Sequence, residues 1–160
     1  MVVWVWIVLG LGIIVGSMSW LLPSPAERVQ ATRRSEALTL GLKIQQVALD
    51  TWARERLERA HVIQYKLFCD HGVRSFTLWH VPGRTEPWAS PPESKSWDLI
   101  EGALSVVLER LPADVQGLGA QNGFVWLAID DASTSLNAPE IQSLLREIVA
   151  ALEGQTHQPI

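Results

Sequence analysis

The chain has one cysteine, Cys69, so no disulfide can form within it and nothing in it demands an oxidising compartment. It lacks the G-x-x-x-x-G-K-[ST] run that cradles phosphates, the G-x-S-x-G elbow that presents a serine nucleophile and the H-E-x-x-H pair that binds zinc. His61, His71, His80 and His157 stand at no ligand spacing with one another or with the cysteine. A concentrated cationic face is missing too. The net charge is −4, and residues 60–160 carry six Lys or Arg against twelve acids. That balance argues against general nucleic-acid binding, which needs clustered cations to displace counterions from phosphate. No catalytic constellation, cofactor site or metal site is read from these residues, so no enzyme is expected.

Charge is also absent from one whole stretch. Met1 to Leu22 (MVVWVWIVLGLGIIVGSMSWLL) has no ionisable side chain. As a helix rising about 1.5 Å per residue it would extend roughly 33 Å, against about 30 Å of bilayer hydrocarbon. Trp4 and Trp6 near one end and Trp20 near the other match the interfacial positions that indoles prefer. The expectation is a single membrane-spanning helix over residues 1–22. Gly12-x-x-x-Gly16 is the spacing that lets two helices approach closely, so a homodimer through Gly12 and Gly16 is one reading and chance spacing the other. No cation precedes the apolar run, and the run exceeds the roughly 7–15 residues of a secretory signal. A permanent anchor is therefore favoured, with Ser17-Met18-Ser19 only a weak cleavage match.

Residues 23–59 hold seven Lys or Arg against five acids. Arg28, Arg33 and Arg34 follow the span closely, and the positive-inside rule then places the remainder in the cytoplasm. This basic segment would lie against anionic headgroups, making membrane lipid an expected contact. A periplasmic domain, released by cleavage or reached by reversed topology, is the alternative.

Local patterning supplies the remaining elements. Ser24, Pro25 and Glu27 form a capping box with proline at the first helical position, starting a basic juxtamembrane helix within residues 23–41 that Gly41 stops. Its apolar face (Val29, Ala37, Leu38, Leu40) is thin, and Arg33 interrupts it. Leu42–Leu49 alternates as a strand, and Asp50–Ala60 reads as a short helix or an irregular connection. Val62–Phe68 and Val73–Val81 alternate on either side of Cys69-Asp70-His71-Gly72, which predicts a hairpin. Pro82–Ser96, with four prolines, reads as a long loop. A helix follows to Arg110, then a glycine-rich linker over 113–123. Phe124–Ile129 is a continuous apolar run, hence a buried strand. Asn137 and Glu140 bracket a second capping box, and Ile141, Leu144, Leu145, Ile148 and Leu152 make one stripe of a helix ending at Gly154. The fold class expected is α+β: a transmembrane helix, then a domain over 42–154 of about four mostly antiparallel strands with two amphipathic helices on one face, and a frayed tail over 155–160.

Several residues could carry chemistry, each with a plainer reading. Asp130-Asp131 at the end of the apolar strand could hold Mg²⁺, but without a phosphate loop a solvated strand end is expected. Cys69 and His71 flank a turn tip without visible partners, and Glu93, Glu101 and Glu109 read as solvated surface. Trp79 and Trp126 lie in strands and belong to a core. Trp88, among prolines, is a candidate partner contact, or else it pins its own loop.

The uncharged span, Pro23-Ser24-Pro25-Ala26-Glu27-Arg28 and Arg33-Arg34 resemble small single-span bacterial inner-membrane proteins, among them the YajC-type accessory subunit of the preprotein translocase. The likeness covers about the first quarter of the chain. That family has a denser basic run after its proline and a much smaller soluble part. The resemblance implies a non-enzymatic accessory role at the inner membrane and carries over no functional residue. The function expected is thus a single-pass, membrane-anchored interaction or accessory module whose partner is another membrane or cytoplasmic protein. The alternatives are a translocase-type subunit and a tethered enzyme whose site is assembled from scattered residues.

Overall fold

The computed structural model describes residues 2–19, 24–70, 73–83, 85–92, 94 and 97–156. In chain order the elements are α1 (Val2–Ser19), α2 (Pro25–Thr39), β1 (Lys43–Ala48), α3 (Thr51–Leu57), β2 (His61–Phe68), β3 (Phe76–His80), β4 (Trp88–Ala89), α4 (Trp97–Arg110), β5 (Val115–Gln121), β6 (Phe124–Ile129) and α5 (Ala138–Thr156). The six strands form one sheet in the order β1-β2-β6-β5-β3-β4, with every neighbouring pair antiparallel.

Two-residue alternation along β6 sends its side chains to opposite faces of the sheet. Val125, Leu127 and Ile129 join Tyr65, Leu78 and Leu118 under the helices, where Leu104 of α4 and Ile141, Leu145 and Ile148 of α5 complete the main core. Trp126 and Ala128 face the other way and pack with Val62, Trp79 and Ala53 of α3 in a second, smaller core. The Trp79 and Trp126 rings lie 5.5 Å apart. They lie over two residues without side chains. A Cβ on Gly119 would come within 2.5 Å of both the Phe76 carbonyl oxygen and the Trp126 ring, and one on Gly117 would overlap Trp79.

Both capping boxes are present. Ser24 accepts from the Glu27 amide while Glu27 accepts from the Ser24 amide. Asn137 and Glu140 exchange the same pair of bonds at the start of α5. Gly41, at φ 79°, ends α2 in the left-handed region, which costs a residue without Cβ little. Gly154 does not end α5, which continues to Thr156.

The expectation of about four strands gives way to six among the described residues, while each helical segment read from the sequence is a helix there. The glycine-rich 113–123 segment is a strand of the sheet's interior, β5. Its apolar residues Val115 and Leu118 are three apart, so strict alternation would send them to opposite faces. A bulge between Val115 and Gly117 absorbs the odd residue and turns both to the main core. Asn122 (φ 53°) and Gly123 (φ 76°) form the two-residue turn to β6, both in the left-handed region that such a hairpin requires. The hairpin expected between residues 62–68 and 73–81 does not form. β2 pairs with β1 and β6, β3 pairs with β5 and β4, and the β5–β6 hairpin stands between them. His71 and Gly72 of the expected turn lie outside the described residues.

The membrane anchor does not hold either. The described part of the uncharged stretch is α1, Val2–Ser19. Among the described residues no helix is long and apolar enough to cross a membrane. The single-pass topology, the inner-membrane placement and the orientation drawn from Arg28, Arg33 and Arg34 fall with it. Trp4 and Trp6 are exposed on α1, and Trp20 lies outside the described residues.

The tryptophan-over-glycine contact is directly testable. Gly119→Ala should lower stability by about 1–3 kcal/mol through overpacking, seen as a lower urea midpoint at unchanged m value. Gly102→Ala in α4, where an added Cβ meets nothing within 4 Å, should raise it by about 0.5–1 kcal/mol.

Candidate functional site

The polar groups of this chain converge at one end of the sheet, where β6 delivers Asp130 and Asp131. Asp131 is buried. Its Oδ1 accepts from Arg33 Nη1 at 3.0 Å and from the Tyr65 hydroxyl at 2.7 Å, and its Oδ2 accepts from Arg34 Nε at 2.7 Å. Arg33 donates further to the carbonyls of Asp131 (3.1 Å) and Thr134 (3.0 Å). The Arg33 and Asp131 side chains are only 7% and 5% exposed, so each charge depends on the other for what water would otherwise supply.

Helical geometry puts Arg33 there. Residues four apart share a helix face, and Arg33 and Ala37 are the buried positions of α2. The cation that interrupts the apolar face is therefore directed at the sheet. Tyr65 rises from the same face of β2 as the main core. Burial first, and then the hydrogen bond it donates to Asp131, push its phenol well above the ordinary tyrosine value, so it stays a donor. Arg33 is thus a buried structural ligand of Asp131, and Arg34 binds the same carboxylate from a position 43% exposed. Asp131 is not the solvated strand end expected from sequence. Arg28 remains exposed.

Asp130 sits beside this network with a partner of its own. Arg59 Nη2 donates to its Oδ2 at 2.6 Å, and the Ala132 amide donates to its Oδ1 at 3.2 Å. The Arg59 hydrogen bond holds the Asp130 carboxyl below the usual aspartate value, against a smaller opposing effect of burial. Asp114 ties down the next turn by accepting from Thr134 Oγ1, the Ser135 amide and Ser135 Oγ.

These groups border a cleft of about 230 Å³ between α2, the start of β2 and the end of β6. Arg34, Arg59, His61, Asp130 and Asp131 line it, with Gln30, Gln46 and Gln116. Gln116 is the extra residue of the β5 bulge, and its Oε1 is buried without a hydrogen-bond partner. The structure thus brings His61 together with the Asp130-Asp131 pair. Arg34, Arg59 and Gln116 were not singled out for this place. The signals were a cation on an apolar helix face and an Asp-Asp pair closing a buried strand.

The other candidates lie elsewhere. His80 and Trp88 are cross-strand partners with rings 5.2 Å apart, and Trp88 is half-buried against the main core. Cys69 is buried, with Sγ 4.0 Å from Glu153 Oε1. Glu109 is exposed on α4. Glu93, His71 and His157, and the side chain of Glu101, lie outside the described residues. Among the described residues no group of three or more His, Cys, Asp and Glu is placed to hold a metal ion.

Two outcomes follow from these ion pairs. Asp131→Ala leaves Arg33 buried and unpaired and should cost about 3–5 kcal/mol in urea unfolding, whereas Tyr65→Phe, which removes one hydrogen bond to the carboxylate, should cost about 1.5–3 kcal/mol. The folded Asp130 carboxyl titrates below the roughly 3.9 of an unfolded aspartate, so the stability it contributes is complete above that pH and is lost as pH falls through the lower, folded value. Arg59→Gln should therefore flatten the fall in urea midpoint below about pH 4 and leave the slope above about pH 5 unaltered.

Comparison with protein-family models, with curated proteins and with solved structures finds no match to this chain.

Proposed function

We propose that this protein is a non-catalytic interaction module that joins another protein through α1. One observation carries the reading. Of the twelve large hydrophobic side chains exposed among the described residues, eight lie on α1: Val3, Trp4, Val5, Trp6, Ile7, Val8, Leu9 and Ile13, each 46–72% exposed. A helix apolar on every side is stable only when something covers it. Burying three such side chains is worth roughly 5–9 kcal/mol before the costs of association. The Gly12-x-x-x-Gly16 spacing would let a covering helix approach α1 closely.

Neither aspartate of the polar cleft is poised as a general base. A general base works best with a pKa near the operating pH, whereas Asp130 is held lower and Asp131 is saturated by two arginines and a tyrosine. The accessory role implied by the likeness to translocase subunits is one form of the same reading.

The test is photo-crosslinking in living cells with benzoylphenylalanine in place of Trp4. A discrete protein adduct that disappears when Val8→Glu is added is the expected result; an adduct at twice the chain's mass would identify a second copy as the partner. Adducts with lipid alone, or none, would overturn the proposal.

A further inference from the structure

We infer that the cleft at the end of the sheet binds a small monocarboxylate carrying an N–H or O–H donor next to its carboxyl group. The donors select the carboxylate. Arg34 and Arg59 line the cleft with Asp130 and Asp131 and balance their charge, and Arg33 behind Asp131 is offset by Asp114 in the adjoining turn. A neutral lining with spare guanidinium donors takes a singly charged anion more readily than a phosphate dianion.

Geometry supplies the donors. Arg34 uses Nε on Asp131, and Arg59 uses Nη2 on Asp130. Among the described residues, the other nitrogens of both guanidiniums have no hydrogen-bond partner. Each arginine is therefore clamped by an aspartate while keeping donors for a ligand, which lowers the ordering cost of binding. Both arginines are more than two-fifths exposed, so a solute can reach them from outside.

Gln116 supplies the second half of the recognition. Its Oε1 is sealed from water and lacks a donor, a state that buried acceptors rarely keep. Turning the amide into the cleft it lines lets it accept from a ligand N–H or O–H. The bulge that inserts Gln116 into β5 brings it to the same cleft as the aspartates. A free N-acylated amino acid and the C-terminus of a peptide both present this chemistry. The cleft, at about 230 Å³, accommodates only such a terminal group.

The experiment is isothermal titration of the full chain with N-acetylglycine, acetate and N-acetylglycinamide. N-acetylglycine should bind about tenfold more tightly than acetate, which lacks the donor, and than the amide, which lacks the charge. Arg59→Gln should weaken N-acetylglycine by about tenfold, and Gln116→Leu should erase its advantage over acetate. Arg59 is exposed enough for its variant to decide the matter alone if Gln116→Leu fails to fold. A capped tripeptide with a free carboxyl terminus separates the sources: tighter binding than N-acetylglycine assigns a chain end, and equal binding a free small acid. Equal affinity for all three probes, no binding at ~10 mM, or binding unaffected by Arg59→Gln would overturn the inference.

Discussion

The contact between Arg33 and Asp131 constrains the placement of everything near it. Two charges taken out of water lose several kcal/mol of hydration each, and their attraction offsets this only when the remaining hydrogen-bonding capacity is also used. Here it is used. Asp131 accepts from Arg33, Arg34 and Tyr65, and Arg33 reaches two backbone carbonyls besides. Such a pair adds less to net stability than to uniqueness. Sliding α2 by one turn along the sheet would strand both charges, so the helix has one register. With α2 fixed, the 130–135 turn is fixed too, and Arg34 is delivered to the cleft beside Arg59.

Features encoded within a few residues were legible in the sequence. The apolar run Phe124–Ile129 is β6 to the residue, and both capping boxes sit where Ser24, Glu27, Asn137 and Glu140 placed them. What depended on distant partners was not legible. Arg33 and Asp131 are 98 residues apart, and neither announces the other. Alternation marked residues 62–68 and 73–81 as strands, but it carries no information about pairing, so sequence proximity was mistaken for a hairpin. The real hairpin had a local signature, Asn122-Gly123, obscured because β5 looked like linker. Its glycines make room for Trp79 and Trp126, and its bulge breaks the alternation by which a strand is recognised.

The two faces of the sheet divide the chain's work. One carries the main core under α2, α4 and α5, and the other carries the tryptophan pair under α3. Neither includes a described side chain of α1. Absence of charge over Met1–Leu22 spoke only of hydropathy. It could not say whether the stretch forms a helix able to cross a membrane, and among the described residues no helix is long and apolar enough to do so. The exposed side chains of α1 are the ones that the proposed interaction would cover.

Strand order also bears on how the polypeptide matures during synthesis. The two middle strands, β6 and β5, are the last to be translated, whereas β2 and β3 must each dock against one of them. Some 60 residues separate Phe68 from Ile129, so at about 5–20 residues per second β2 waits roughly 3–12 s for its mate. Until then only the β1–β2 and β3–β4 ribbons can form, and the edges of β2 and β3 that later take β6 and β5 stay open. Nascent chains of this topology are most vulnerable to wrong intermolecular pairing in that interval, and a C-terminal truncation would make the exposure permanent.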